Sequence, residues 1–321
     1  MAFFQDSKML TERSRLIKGR LFTTVSTHLD CIENMDNYKM REDDVVLSSY
    51  PRSGTHWSIA MVNLVMTNGD IDAVKDVHIH DRSIWMEFSK PAIKGKVDAL
   101  AGEWGPNPME EAEKEPSPRL FSTHLGYDML PEDVRKAKCK VIIVLRNPKS
   151  VLASFHKLNQ SSANDMFYEK KPDAELLLKY QLTDDIANFP FGPWIDAVEK
   201  WWVNRESLGN KILFIRFEDM KQDMPKVIKD VAEFLGKDIP DETIGQMAEH
   251  LKFSNMSQNP ATNDVFKAGR ESLNMKDDSL QHMGKGTSDG WKDTFTVAQN
   301  ERMNEYYGEK LRKIGLDMSL E

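Results

Sequence analysis

The chain has few cysteines and no long hydrophobic run. Among its 321 residues, Cys31 and Cys139 are the two cysteines, and they lie far apart in the sequence. This sparse use argues against a disulfide framework and fits a reducing compartment. No apolar stretch approaches the roughly 20 residues of a membrane-spanning helix, and charged residues between Lys8 and Arg20 interrupt any N-terminal signal. We therefore predict a cytoplasmic protein that does not associate with membranes.

Positive charge is also scarce. The chain has 43 lysines and arginines against 51 aspartates and glutamates, a formal net charge of −8. Proteins that bind nucleic acid generally present a basic face to the phosphates, so this balance argues against a nucleic-acid partner. The length and the 40% hydrophobic content suffice for one large core, although two smaller domains also fit. We predict one domain over residues 1–321, with residues 1–43 as an extension packed on it and residues 254–290 as a loop that covers a site.

Short β-branched runs alternate with helical patterns along the chain. The runs lie at 45–48, 120–123, 141–145 and 212–215, and apolar residues recur at helical spacing between 194 and 208. This alternation is typical of a central parallel β-sheet flanked by helices, an α/β fold. Thr296 with Gln299 three residues later predicts a capping box at the start of the last helix.

The run at 45–48 leads into a loop that is suited to an anion. The segment VVLSSYPRSGTHW, residues 45–57, combines an apolar strand, a cation, hydroxyls and Gly54 before a helix that Thr55 or His56 could cap. Backbone N–H groups at such a turn and at the helix start bind phosphate. The spacing GxxxxGK[ST] of the nucleoside triphosphatase loop is absent, so ATP or GTP hydrolysis is not indicated. An ordinary strand-to-helix turn is the alternative.

Further segments carry side chains that bind anions or move protons. His124 follows the run 120–123, at the strand end where ligands gather in parallel sheets, and neutral imidazole accepts a proton near pH 7. Arg146 follows the run 141–145, and Ser154 comes eight residues later on a predicted helix. They offer a guanidinium fork and a hydroxyl to a phosphate. A structural histidine and a surface arginine are the alternative interpretations.

Five segments, in this order, resemble motifs of the cytosolic sulfotransferases. They are SYPRSGTHW, RLFSTHLGYDMLP, VIIVLRNPKSVLASFHK, KILFIRFEDMKQD and GKGTSDGWKDTFTVAQNE, and the resemblance runs from about residue 44 to residue 307. It implies a sulfotransferase fold with a nucleotide-binding topology like that of P-loop proteins. It also implies 3'-phosphoadenosine 5'-phosphosulfate (PAPS) as sulfate donor, 3'-phosphoadenosine 5'-phosphate (PAP) as product, and no metal.

The resemblance assigns roles to individual residues. His124 is expected to act as the general base, and Arg52 to balance charge on the bridging oxygen. Expected donor contacts are Arg52, Ser53, Gly54, Thr55, His56, Trp57, Arg146, Ser154, Phe217, Phe253, Lys285 and Gly286. The wall of a pocket for a small hydroxyl or amine acceptor is expected at Trp85, Phe88 and Leu158, and a homodimer motif at Lys292, Thr296, Val297 and Glu301.

Four positions depart from the family pattern. Arg52 stands where lysine is common, Ser122 where a lysine often precedes the Thr-His pair, Phe217 where tyrosine is common, and Gly284 where arginine is usual. Arginine does not readily give up a proton, so Arg52 can act only as a fixed positive fork. We expect these changes to affect the rate more than the type of reaction.

Other classes of function are weighed against this one. A relative that binds the nucleotide without turnover would explain the four departures, and a nucleotide kinase would need the lysine-containing loop that the sequence lacks. The run VHIHDR, with His78, His80 and Asp81, suggests a metal site, but two histidines alone do not complete one. A solvated loop or a part of the pocket wall is the preferred interpretation of that run.

Overall fold

The computed structural model describes residues 11–12, 14–23, 27–88, 106–160, 170–263 and 289–321. Within these ranges an antiparallel hairpin precedes a five-stranded sheet; the hairpin strands are β1 (Ser14–Ile17) and β2 (Arg20–Thr23). The larger sheet contains β3 (Val45–Ser49), β4 (Ile84–Trp85), β5 (Leu120–Thr123), β6 (Lys140–Leu145) and β7 (Ile212–Arg216). Its spatial order is β4-β5-β3-β6-β7, with parallel pairing throughout. The predicted central parallel sheet is confirmed.

Helices connect and cover the strands. Those of the first half are α1 (Leu29–Glu33), α2 (Thr55–Met66), α3 (Ile71–Val74), α4 (Pro108–Ala112), α5 (Glu132–Arg135) and α6 (Pro148–Asn159). Those of the second half are α7 (Ala174–Gln181), α8 (Trp194–Leu208), α9 (Phe217–Gln222), α10 (Met224–Leu235), α11 (Asp241–His250), α12 (Phe253–Gln258), α13 (Pro260–Asn263) and α14 (Val297–Ile314). Helix α8 lies where the periodicity predicts it. The capping box before α14 also forms, with Gln299 N–H donating to Thr296 Oγ1 and Thr296 N–H to Gln299 Oε1.

Each face of the sheet packs against its own set of helices. Alternate strand residues point to opposite faces, so Val46 and Ile143 join one core cluster while Leu47 and Ile142 join the other. The first cluster includes apolar residues of α6, α8 and α14, and the second includes those of α2, α10 and α11. With helices on both faces, the carboxyl ends of the strands form the open edge at which a ligand can bind.

Helix α2 begins differently from the expectation. Its N-cap is Gly54, which has φ 99° and makes no side-chain capping bond, so the expected cap at Thr55 or His56 is wrong. The chain turns into the helix through a left-handed conformation that glycine adopts at little cost. The Thr55 hydroxyl is instead 2.7 Å from the Ser49 hydroxyl at the end of β3.

Two polar segments with little hydrophobic periodicity, 103–118 and 254–290, contain short helices. Helix α4 lies within the proline-rich segment 103–118, with Asn107 as its cap and Pro108 at its first position. Helices α12 and α13 occupy the start of the predicted covering loop 254–290. The part of that loop at 264–288 lies outside the described residues.

Candidate active site

The open edge of the sheet collects most of the expected site residues. Arg52 lies in the loop after β3, Phe88 follows β4, and His124 follows β5 directly. Arg146 follows β6, and Phe217 follows β7. Parallel strands end at the same edge, which is why residues far apart in sequence meet there.

The loop after β3 is a tight turn built for close approach of a ligand. Both Arg52 (φ 72°) and Gly54 (φ 99°) have left-handed backbone conformations. A Cβ on Gly54 would lie 2.6 Å from Cδ2 of Phe217, closer than any packed carbon pair. Between them, the Ser53 hydroxyl is buried and has no hydrogen-bond partner among the described residues. A buried hydroxyl of this kind needs a partner, and a phosphate oxygen in this loop would supply one.

Two guanidinium groups and a hydroxyl adjoin this loop. Arg52 Nε donates to Ser154 Oγ at 3.0 Å, and Arg146 Nη1 donates to the Arg52 carbonyl at 2.8 Å. Burial and the nearby charge of Arg146 lower the pKa of Arg52 to about 10, and burial lowers the pKa of Arg146 to about 10. Both groups therefore stay positive at neutral pH. The arrangement of two cations with a serine donor matches the needs of a phosphate.

The His124 imidazole is half-buried and has a fixed tautomer. Its Nδ1 lies 2.8 Å from the Ser49 carbonyl oxygen. A carbonyl oxygen only accepts, so Nδ1 carries the proton and Nε2 of the neutral ring is left as the acceptor. Burial lowers the pKa of His124 to about 4, assisted by the positive charge of Arg52 and opposed by the bond to Ser49. The ring is therefore neutral at pH 7.

Aromatic rings surround this imidazole. The ring centroids of Trp85, Phe191 and Phe88 lie 5.0, 5.8 and 6.2 Å from that of His124. Trp85 and Phe88 were expected there, whereas Phe191 was not. Phe191 has a left-handed backbone (φ 64°), and its neighbour Gly192 is held by a 2.8 Å bond from the Tyr50 hydroxyl to its carbonyl. In the sequence, the proline and glycine residues of FPFGP indicate a turn at this position. The structure adds the strained backbone of Phe191, and a strained non-glycine residue often marks a functional site.

Trp57, Phe217 and Phe253 are the aromatic residues expected to contact the adenine of the donor. The rings of Trp57 and Phe217 are 5.4 Å apart, and the Arg146 guanidinium lies 4.1 Å above the Phe217 ring. Trp57 Nε1 donates to the Leu251 carbonyl at 2.8 Å, which fixes the position of the indole. Leu251 is followed two residues later by Phe253, the first residue of α12. Phe253 is 36% exposed, so its ring is available for stacking on a base.

Some expected residues are not brought into this cluster. Lys285 and Gly286, together with the departure at Gly284, lie outside the described residues. Leu158 is near the end of α6, one turn beyond Ser154, and its place in an acceptor pocket stays a prediction.

The histidine run precedes β4. The rings of His78 and His80 stack at 5.3 Å, and the described part of the chain contains no group of three or more residues suited to hold a metal.

The four residues of the expected dimer motif lie together on the surface. Lys292 is in a 3-10 turn at Gly290–Asp293, Thr296 caps α14, and Val297 and Glu301 are in its first turns. All four are exposed, and Val297 is 75% exposed. An exposed β-branched apolar residue among charged ones is compatible with a small contact surface.

Comparison with known proteins decides the family. A family model described as sulfotransferase domain matches residues 42–315. The chain belongs to the sulfotransferase family. Sulfotransferase 1 family member D1 of Mus musculus is 34% identical over 309 residues, which cover 95% of this chain and 96% of that protein.

Solved structures agree with this assignment. The crystal structure of mouse sulfotransferase SULT7A1 complexed with PAP has a TM-score of 0.67 and 28% identity, and covers 93% of this chain and 95% of that one. Retinol dehydratase in a complex with retinol and PAP has a TM-score of 0.79 at 21% identity, covering 99% and 96%, which shows the shared fold. The expected sulfotransferase fold and the expected class of PAPS-dependent sulfotransferase are confirmed. None of the helices in the described ranges combines the length and the hydropathy of a membrane span.

Proposed function

We propose that this sulfotransferase transfers the sulfuryl group of PAPS to a hydroxyl or amine of a small molecule, with His124 as the general base. The observation that supports this role is the hydrogen bond from His124 Nδ1 to the Ser49 carbonyl. It leaves Nε2 as a proton acceptor inside an aromatic-walled site at the edge that also holds Arg52 and Arg146. Proton transfer of this kind is worth about 10²- to 10⁴-fold in rate.

The residues at this edge fit the donor. The Ser53 hydroxyl and the N–H groups around Gly54 would bind the 5'-phosphate, and Arg146 with Ser154 would bind the 3'-phosphate. Trp57, Phe217 and Phe253 would hold the adenine. Further contacts of the bound donor are proposed for Arg52, Thr55, His56, Lys285 and Gly286. When bound, the donor supplies the activated sulfuryl group.

Arg52 provides the fixed positive charge next to the base. Its Nε donates to Ser154 Oγ, which restricts the orientation of the guanidinium. Its charge also lowers the pKa of His124, and a phosphate held by Arg52 would offset that effect. The base therefore gains proton affinity when the donor site is filled, which suits its role in the ternary complex.

The walls of the site favour an acceptor with an apolar body. Trp85, Phe88 and Phe191 surround the imidazole, so a hydroxyl or amine carried on a flat or aliphatic framework can reach Nε2 while its body packs on these rings. We extend the proposal to a homodimer through Lys292, Thr296, Val297 and Glu301, and to the cytoplasm, which both buried free cysteines suit.

The test combines turnover with binding. The variant His124→Ala should lose about 10²- to 10⁴-fold in transfer from PAPS to a panel of phenols, alcohols and amines, while its Kd for PAP stays that of the wild type. Transfer near the wild-type rate would refute His124 as the base. Failure of the wild-type protein to bind PAP would refute the donor assignment itself.

A further inference from the structure

A buried carboxylate that the proposed mechanism does not use lies directly behind the base. Glu87 is fully buried, and it comes two residues after the end of β4. Its Oε1 accepts the backbone N–H of His124 at 2.7 Å, and its Oε2 accepts the Thr123 hydroxyl at 2.8 Å. One carboxylate therefore holds two consecutive residues at the point where β5 ends.

The same network extends to the far side of the base. The Thr123 hydroxyl donates to Glu87 and accepts the backbone N–H of Leu125 at 3.0 Å. The backbone on both sides of the His124 Cα is thus bonded to Glu87, directly or through one hydroxyl. The Ser49 carbonyl fixes the ring itself. Charge-assisted bonds of this kind are short and strong.

The position of Glu87 is itself fixed from two directions. Parallel pairing sets Ile84 opposite Phe121 and Trp85 opposite Ser122, which places the residues after β4 beside those after β5. The backbone N–H of His28 donates to the Glu87 carbonyl at 2.8 Å. Glu87 also lies between Trp85 and Phe88 in sequence, the two rings that wall the imidazole. A shift of Glu87 would therefore move the base and its walls together.

We propose that Glu87 is a positioning residue for the transfer reaction: its carboxylate holds residues 123–125 so that the His124 imidazole faces the acceptor. This inference rests on the proposed role of His124 as the base. Packing alone does not explain why a carboxylate occupies this buried position, because a buried carboxylate is unfavourable unless its oxygens accept hydrogen bonds. Here the donors that satisfy them are those that fix the base.

The charge of Glu87 gives this role a pH signature. Burial raises the pKa of Glu87 to about 7, although the bonds from His124 and Thr123 oppose the rise. The ionisable residues packed against it in the described ranges are His124, whose pKa burial lowers to about 4, Cys31, whose pKa burial raises to about 12, and His28, whose backbone N–H donates to the Glu87 carbonyl. His28→Asn removes this second imidazole and keeps both the backbone N–H and a side chain that can cap α1. A change in rate near pH 7 that is lost in Glu87→Gln and kept in His28→Asn therefore reports Glu87.

Three variants separate the effect on kcat of the Glu87 hydrogen bonds from the effect of its charge. We expect Glu87→Ala to lower kcat about 100-fold, because a displacement of the base of about 1 Å is this costly. Glu87→Gln keeps one oxygen for the His124 N–H and should lower kcat about 10-fold at pH 8, the loss of one charge-assisted bond. Asp133→Asn is the matched control, since that carboxylate holds the backbone N–H of Met40 at the amino end of the sheet. It should change kcat by less than about twofold.

The pH profile gives the sharpest result. With an aliphatic alcohol as acceptor, which does not ionise in the range, the wild-type kcat should fall as the pH drops through about 7, where protonation of Glu87 leaves it with the bonding pattern of glutamine. The Glu87→Gln rate should be flat there, and the two enzymes should converge at low pH. A low-pH limb that persists unchanged in Glu87→Gln would overturn the proposal. This variant decides the matter even if Glu87→Ala fails to fold.

Binding and NMR distinguish positioning from general stability. The Kd for PAP should be unchanged in Glu87→Gln, and the backbone amide proton of His124 should lose its hydrogen-bond shift in Glu87→Ala. Loss of PAP affinity in parallel with kcat would overturn the positioning role. The double variant Glu87→Ala/His124→Ala should be no slower than His124→Ala alone.

These experiments distinguish the proposal that His124 is the base from the proposal that Glu87 positions it. A His124→Ala enzyme that transfers at the wild-type rate refutes the base assignment whatever Glu87 does. Loss of transfer in His124→Ala with full kcat in Glu87→Ala refutes only the positioning role.

Discussion

Replacing Gly54 by alanine tests the packing that shapes the loop after β3, which is proposed to bind the 5'-phosphate. The backbone at this position is left-handed, with φ 99°, and alanine there costs about 1–2 kcal/mol. The new Cβ would also lie 2.6 Å from Cδ2 of Phe217, so the ring must move by about 1 Å to reach an ordinary carbon contact. Overpacking of this kind costs about 1–3 kcal/mol. We therefore expect the free energy of unfolding to fall by about 2–5 kcal/mol in total.

Donor binding should suffer together with stability. The Phe217 ring supports the Arg146 guanidinium at 4.1 Å and the Trp57 ring at 5.4 Å. Its displacement would disturb Arg146 and Trp57, both of which are proposed to contact the donor. We expect the Kd for PAP to rise about 10-fold or more, which corresponds to about 1.4 kcal/mol. Urea unfolding and a tryptophan-fluorescence titration with PAP measure the two effects.

The chain offers a matched control for this variant. Gly236 ends α10 with φ 73°, and no atom lies within 4 Å of a Cβ built there. Gly236→Ala should therefore show the left-handed cost alone, about 1–2 kcal/mol, with unchanged PAP binding. A further check is Phe217→Leu, which should be less costly in the Gly54→Ala background than in the wild type. If Gly54→Ala is no less stable than Gly236→Ala and binds PAP normally, the reasoning about this contact is refuted.

Two further predictions concern buried charges that hold the frame of the site. Asp44→Asn should lower the free energy of unfolding by about 3–5 kcal/mol, because Arg119 Nε donates to its buried carboxylate at 2.8 Å and would keep an unpaired charge. Lys149→Met should lower it by about 2–4 kcal/mol, because the ammonium donates to two asparagine amides of α14 and lies 3.7 Å from the Trp291 ring centroid. Urea unfolding checks both.

Exposed pairs on the same protein serve as the comparison. The side chains of the Lys114–Glu111 ion pair are 72% and 48% exposed, so solvent screens the pair and Glu111→Ala should be nearly neutral. Lys226→Met, in another exposed pair, is the control for Lys149. Unfolding curves of the buried-site variants that coincide with those of the controls would contradict the predicted magnitudes.

The sheet and the glycine loop after β3 could be predicted because their signals are local. A β-branched run followed by a glycine loop can be recognised within a dozen residues, and so can the capping box at Thr296. The predicted start of α2 is wrong because the sequence shows Thr55 and His56 as possible caps, but not the crowding of Gly54 by Phe217. That crowding is a contact between residues far apart in the chain.

Other parts of the site depend on long-range pairing and have no local signal. Strand β4 is two residues long, too short for a periodicity, yet its pairing with β5 brings Glu87 to His124 across 37 positions. Phe191 reaches the imidazole from the turn before α8. A family resemblance supplies the motif residues, whereas side chains outside the motifs need the fold itself to be located.

The paired guanidinium groups of Arg52 and Arg146 have a consequence for the life of the enzyme in a cell. The Arg146 charge acts on Arg52 and lowers its pKa, so the folded state bears a repulsion that an anion bound at both groups, as proposed for the donor, would remove. Ligand that binds the native state shifts the folding equilibrium in proportion to its concentration. Proteases degrade the unfolded fraction. Cells rich in sulfate donor should therefore retain more of this enzyme, and cells starved of it should clear the protein, without any change in its synthesis.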